Sequence, residues 1–358
     1  MSGYKVVIAG GYPPPFGGIS VHIQRLASIL STYYDVKVLD FYGKPVAAHM
    51  PQQGIELIRI RGNILTHLVY AIRQLCSGHG IVHLHVSAGN NLLRILCFLI
   101  AKNSKKLVLT IHSGSFATRL SEQGVLTRSF LRWMLQWFDR IIVVNPQQQE
   151  ALKSLGVLPS KVVIIPAYLK ASGEYSQGIA KRIAEMRSRN HLMLISSGFG
   201  LPHYGYHVIL QALSTAFQDK KVALILALYN TYDRAYLNEL ARLAAILKHV
   251  EYVVLEDSQP EEFNYVLSQC DMYIRATTVD GDSVAVREAL QHGLNVICSD
   301  CVARPEGTQL FSLTSGGSLP KALESVKLSR KLVHQQQDNA KELLSIYASI
   351  RASDAVKD

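Results

Sequence analysis

The densest chemistry in the chain lies in the run Arg275-Ala-Thr-Thr-Val-Asp280-Gly-Asp282-Ser283-Val-Ala-Val-Arg287-Glu288-Ala-Leu. An apolar strand ends at Arg275, a polar loop follows, and Ser283 has the residue type of a helix N-cap. A helix that starts there offers backbone amides and its dipole to an anion. Asp280 and Asp282 hang in the loop, and Glu288 points from the helix's second turn. Anion-binding amides flanked by carboxylates suit a ligand bearing both phosphate and hydroxyls, such as a nucleotide sugar. A solvated acidic loop is the competing reading.

Three further clusters qualify. Gly10-Gly11-Tyr-Pro-Pro-Pro-Phe-Gly17-Gly18 joins the first strand to the first helix and would let backbone N–H groups approach an anion. It is not GxGxxG, and an ordinary strand-to-helix turn stays open. Thr110-Ile-His112-Ser-Gly114 ends another strand, where His112 can donate to a polar ligand. His83 and His85 share a face of their strand, but no neighbouring carboxylate or Cys completes a metal site. Near 123–138, Arg128, Arg132, Trp133 and Trp137 recur at four-residue spacing, with Lys102, Lys105 and Lys106 nearby. This pattern fits a membrane-interface face or helix-to-sheet packing equally. Cys298 and Cys301 form a CxxC with no second pair, and His203 and His207 lie far upstream, so no metal is expected.

Alternating elements must position these groups. Strand patterns fall at 4–10, 35–41, 55–60, 81–86, 107–111, 140–145 and 161–165, then at 192–198, 222–228, 251–255, 271–275 and 295–299. Helix patterns fall at 18–32, 64–76, 90–103, 123–138 and 147–155, then at 205–217, 232–248, 260–269, 283–292 and 329–350, with a short one at 181–190. Strands alternating with helices imply α/β architecture with parallel sheets covered on both faces. The series restarts after Pro166, Gly173 and Gly178, so two Rossmann-like domains are expected, at 1–170 and 171–328. A terminal helix within 329–358 would cross back to the first. Ligands of such sheets bind beyond the strands' carboxyl ends, in a cleft between the domains.

At 358 residues the chain exceeds the size of most single cores. Apolar residues make up 48% and charged ones 18%, which excludes a disordered chain. The apolar runs are too short to span a bilayer, and no signal-peptide pattern precedes the first strand, so a cytoplasmic protein is expected. The net charge of +10 is unevenly spread. Residues 1–170 carry 18 Lys and Arg against 6 Asp and Glu, and residues 171–358 carry 19 against 21. The first half therefore suits an anionic partner such as an acidic membrane. A nucleic-acid partner would leave the glycine loop and acidic helix without purpose.

Taken together, these motifs resemble the retaining glycosyltransferases of family 4, which have the two-domain GT-B fold. The resemblance rests on the Gly17-Gly18 loop leading into His22, Thr110-Ile-His112, Gly198-Phe-Gly-Leu-Pro-His-Tyr-Gly205, and the pair Asp280 and Glu288. Asp stands at 280 where the family usually has Glu. The run through Ser299-Asp300 and Arg304-Pro305-Glu306-Gly307 is similar to a subset from bacterial surface-polysaccharide clusters. The resemblance implies that Glu288 holds the donor's ribose, and that Asp280, Asp282 and their loop hold the sugar. Gly17, Gly18, Ser283 and Val284 would contact the diphosphate, Gly198 would belong to the donor site, and His112 would face the transferred sugar or the leaving phosphate. It implies no cofactor or metal, with a UDP- or GDP-sugar as substrate, a lipid-linked glycan as acceptor, and peripheral placement on the inner face of the cytoplasmic membrane. The family usually has a cation after Gly198 and another before Gly205, where this chain has Phe199 and Tyr204. Arg275 and Arg304 are the expected replacements, with His203 or His207 weaker ones. A non-catalytic partner subunit and, less favoured, a GT-B epimerase remain as rivals.

Overall fold

The computed structural model describes residues 4–41, 54–60, 68, 69, 72, 80–86, 99, 105–170, 176–315, 318–326 and 338–355. The helices expected at 64–76 and 90–103, Lys102, the linker around Gly173 and the start of the final helix lie wholly or largely outside them. The chain divides into two compact units. Met1–Pro15, Ile19–Leu169 and Asp338–Asp358 form the first, and Phe16–Gly18 with Lys170–Gln337 form the second.

The first unit runs β1 (Lys5–Gly10), α1 (Gly18–Leu30), β2 (Asp35–Asp40), β3 (Ile55–Arg59), β4 (Gly80–Val86), β5 (Lys106–Ile111), α2 (Phe116–Ser121), α3 (Val125–Leu135), β6 (Arg140–Val143), α4 (Pro146–Ser154) and β7 (Val162–Ile164). Its sheet has the order β3-β2-β1-β4-β5-β6-β7, with every pair parallel. Both faces are buried, so the strands read as apolar runs rather than alternating ones. On β1, Val7 and Ala9 enter one core with Leu109 and Phe138, while Val6 and Ile8 enter another with Ile23 and Leu26 of α1. Asn145 caps α4 by accepting from the Gln148 amide at 3.0 Å, and Pro146 follows where its missing N–H costs nothing.

The second unit restarts with α5 (Gln177–Arg189), β8 (Leu192–Gly200), α6 (Tyr206–Leu213), β9 (Val222–Tyr232), α7 (Arg234–Ile246), β10 (Val250–Glu256), α8 (Pro260–Gln269), β11 (Met272–Arg275), α9 (Val284–Gln291), β12 (Asn295–Ser299), β13 (Thr308–Phe311) and α10 (Ser318–Ser325). Its parallel sheet has the order β10-β9-β8-β11-β12-β13. Alternation again divides β9 between two cores, Leu224 and Leu226 on one side and Ala223 and Ile225 on the other. The strand order reverses between β1 and β4 in the first sheet and between β8 and β11 in the second. These are the switch points beyond which ligands of open α/β sheets bind.

The final helix, α11 (Ala340–Ala355), packs into the first unit. Leu343, Ile346, Tyr347 and Ile350 join the core of Val6 and Ile8. Asn339 pins its start by donating to the carbonyls of Pro166 and Tyr168 at 2.9 and 3.0 Å. Among the described residues, no helix is long and apolar enough to cross a membrane.

Candidate functional site

In the second unit, the loops after the neighbouring strands β8 and β11 meet. The turn after β8 contains Pro202–Tyr204 and closes at Gly205, whose φ of 70° is left-handed. A Cβ at Gly205 would lie 2.1 Å from the Ala276 carbonyl oxygen, so only glycine admits this approach. The carbonyl of His203 accepts from the Thr278 amide at 2.9 Å and from Thr277 Oγ1 at 3.0 Å. The turn is thereby tied to the start of the acidic loop.

Asp280 sits at the centre of that loop between two arginines. Arg275 donates to it through Nη2 at 2.9 Å and Nε at 3.0 Å, and Arg304 Nη1 donates at 2.6 Å. Arg275 also donates through Nη1 to the Ser197 carbonyl at 2.7 Å and lies under the Tyr204 ring, 5.1 Å from its centroid. All three charged side chains are nearly fully buried. Burial pushes the Asp280 carboxyl up, but the arginine charges outweigh it and hold the group at about 2. Arg275 and Arg304, expected to face a diphosphate, thus direct these donors to Asp280, and the Asp280 carboxylate expected to hold a sugar accepts from both. Phe199 and Tyr204, which depart from the family pattern in the sequence, pack with ring centroids 5.5 Å apart.

Helix α9 rises from the same loop. Ser283 caps it, accepting from the Val286 amide at 3.4 Å, and Val284 is its first residue. Asp282 accepts from Arg287 Nε at 2.7 and 2.9 Å. Glu288 is buried and accepts from Asn264 Nδ2 of α8 at 3.1 Å. The unit thus places a helix N-terminus and a held carboxylate at the carboxyl ends of adjacent strands. That arrangement can bind an anion and a hydroxylated group together.

Gly18, which groups with the second unit, opens α1, and a Cβ there would meet nothing within 4 Å. Packing therefore does not demand glycine at 18. His112 follows β5, its amide donating to the Val86 carbonyl at 2.9 Å. It lies beside His85 and His22, with His85 Nδ1 3.0 Å from His112 Nε2. Burial lowers all of these histidines, His22 to about 4, and the neighbouring rings lower His85 and His112 further. They are neutral at pH 7. Sequence reading did not join His22 to His85 and His112, because the three come from three elements. The only signal was the alternation that aligns His83 with His85.

The segment with both tryptophans has two sides, although the helix expected over 123–138 ends at Leu135 and leaves Trp137 in the turn after it. Leu131, Met134 and Leu135 of α3 are buried, while Val125, Leu126, Phe130, Trp133 and Trp137 are exposed. Trp133 and Trp137 are 46% and 44% accessible, with ring centroids 6.1 Å apart. Helix-to-sheet packing therefore does not account for them. Arg132 is exposed, and Arg128 donates to the Leu120 carbonyl at 3.2 Å. Lys105 is buried and Lys106 half-buried, so Lys105 is withdrawn from the surface that the sequence suggested.

The family model for Glycosyltransferase Family 4 matches residues 16–167. No curated protein matches in sequence. In structure, the chain is similar to Anabaena HepE in complex with UDP and glucose, at 14% identity over 99% of each chain with a TM-score of 0.70. It is similar to sucrose-phosphate synthase from Thermosynechococcus elongatus, at 14% identity over 98% of this chain and 100% of the other, TM-score 0.73. WaaG, a glycosyltransferase involved in lipopolysaccharide biosynthesis, aligns at 12% identity over 96% of this chain and 99% of its own, TM-score 0.66. At such identities the likeness defines the fold, which is GT-B with two Rossmann-like α/β domains.

Proposed function

We propose that this chain is a family 4 glycosyltransferase that moves a sugar, with retention, from a UDP- or GDP-sugar to a lipid-linked or growing glycan of bacterial surface polysaccharide. The carrying observation is the meeting, beyond β8 and β11, of the 201–205 turn, the Asp280 loop and the N-terminus of α9 with Glu288 behind it. The family-model match and the UDP bound by HepE support the same reading.

In this mechanism Glu288 binds the ribose hydroxyls, oriented by Asn264. The amides of Ser283 and Val284 and the Gly17-Gly18 loop receive the diphosphate. At Gly198, at the end of β8, a Cβ would lie 2.1 Å from the Tyr204 ring, so this glycine admits that ring beside the donor loop, and His112 faces the transferred sugar or the leaving phosphate. The leaving phosphate takes the acceptor's proton on the front face, so catalysis rests on positioning and on charge stabilisation at the departing diphosphate. No metal is required at that diphosphate. Arg275 and Arg304 outnumber Asp280 by one charge and leave a net positive field beneath the loop, while Asp280 holds the loop's shape. The acceptor side is the basic first unit. It docks on the anionic inner face of the cytoplasmic membrane through Trp133, Trp137, Arg128, Arg132 and Lys106.

One observation favours a second reading. Aromatic rings replace the two expected phosphate-binding cations, and Arg275 is engaged by Asp280, as in a partner subunit that keeps the fold without catalysis. A thermal-shift panel of nucleotide sugars, with donor hydrolysis followed in parallel, separates the two. A transferase is stabilised by one donor class and hydrolyses it slowly, and Glu288→Ala loses both effects. A wild-type protein that neither shifts nor turns over any donor is the partner subunit.

A further inference from the structure

We propose that His22, His85 and His112 form a tripodal binding site for a first-row divalent cation of the zinc type. The three residues come from α1, the end of β4 and the residue after β5. Each offers a ring nitrogen, and these nitrogens all lie within 4.8 Å of one another. Ligands at about 2.0–2.1 Å around a tetrahedral zinc stand about 3.4 Å apart, so closure takes small ring movements rather than a change of fold.

The hydrogen bonds already present prepare the site. His22 Nδ1 lies 2.7 Å from the Ala167 carbonyl, which can only accept. The proton is therefore on Nδ1, and Nε2 carries a lone pair. That Nε2 is buried without a hydrogen-bond partner. A ligating imidazole whose other nitrogen donates to a backbone carbonyl is the usual supporting arrangement at a metal.

His85 points the same way. Its Nδ1 shares one hydrogen bond with His112 Nε2, and its own Nε2 is buried without a partner. Whichever nitrogen holds the proton, one hydrogen-bonding position of His85 is left unsatisfied, which is unfavourable for a buried polar group. A cation among the three rings would satisfy it.

His83 is excluded from the ligand set. Its Nδ1 meets the Tyr347 hydroxyl at 2.5 Å and its Nε2 meets Thr110 Oγ1 at 2.6 Å. Its ring packs against that of His85, with centroids 4.1 Å apart and an interplanar angle of 35°. Three imidazoles without carboxylates select zinc, cobalt, nickel or copper over magnesium or calcium. Three protein ligands leave a fourth position for water.

The site does not rest on the transferase reading, and its test reads binding. Untagged full-length protein is stripped with chelator, dialysed, and titrated with Zn²⁺ by calorimetry and with Co²⁺ by visible absorption. The expected result is one equivalent bound with a Kd below micromolar and a cobalt d–d band. His22→Gln and His85→Gln should each weaken binding at least about 100-fold, while Cys301→Ser leaves it unchanged. X-ray absorption of the wild-type zinc complex should show nitrogen and oxygen ligands only, and it decides the matter if either histidine variant fails to fold. The proposal is overturned by absent stoichiometric binding, by sulfur ligation, or by unchanged affinity in folded His22→Gln and His85→Gln proteins. A water molecule filling the cluster would give the first of these results.

Discussion

At Asp280 two guanidinium groups share one carboxylate in a buried loop, and that single residue couples the end of β11 to Arg304, just beyond β12. Removing one partner of a buried ion pair typically costs about 3–5 kcal/mol, because the remaining charge stays desolvated. Asp280→Asn should lose stability on that scale in urea unfolding. The folded carboxyl titrates at about 2 against an ordinary 3.8. A depressed folded value means that the contribution is complete above about pH 4 and disappears as the pH falls towards 2. Wild-type stability should therefore decline through that window more steeply than that of Asp280→Asn. Parallel pH profiles for the two proteins would contradict the assignment.

Among the elements, α3 is the one whose sequence and packing disagree. Its buried side has the spacing of an ordinary amphipathic helix, yet Phe130 and Trp133 stack on its outer side with ring centroids 5.7 Å apart. Surface aromatics beside Arg132 match the chemistry of a membrane interface. If they bind lipid, replacing Trp133 and Trp137 together with Ser should weaken flotation with anionic vesicles by about tenfold or more, since each ring contributes about 1 kcal/mol. Because both rings are nearly half exposed, the unfolding free energy should fall by only about 1 kcal/mol. Unchanged flotation at matched salt would remove the membrane reading and leave the patch unexplained.

For the whole molecule, the first unit is completed only by the last segment of the chain. Tyr347 is fully buried, contacts His83, and sits with Leu343, Ile346 and Ile350 against the first sheet. Each such side chain stabilises by about 1.5–3 kcal/mol, so their joint removal approaches the stability of a whole domain. A chain ending at residue 337 should lose cooperative unfolding of the first unit, seen as early protease cleavage within residues 1–169. The second unit should keep its melting transition. Native-like protection of residues 1–169 in the truncated chain would show that α11 is dispensable.

Much of this architecture was legible because parallel strands buried on both faces leave an unmistakable apolar run. All twelve strands expected from such runs are present, within a few residues at their ends. β13 was missed because Thr308–Phe311 buries only Phe311 and forms by pairing with β12. α2 was missed because six residues are too few to display a helical period, and α10 because Pro320 interrupts its eight-residue run. The candidate donor motif was legible for the same local reason, since Ser283, Glu288 and the acidic loop are contiguous. What the sequence alone determined is therefore the fold class and the contiguous run that makes up the candidate donor site. Only the tertiary structure decided that Asp280 binds both Arg275 and Arg304, that Lys105 is buried, and that His22, His85 and His112 converge. These facts depend on how the chain folds back on itself, over five residues from Arg275 to Asp280 and over longer stretches at the others, and local propensity carries no record of such meetings.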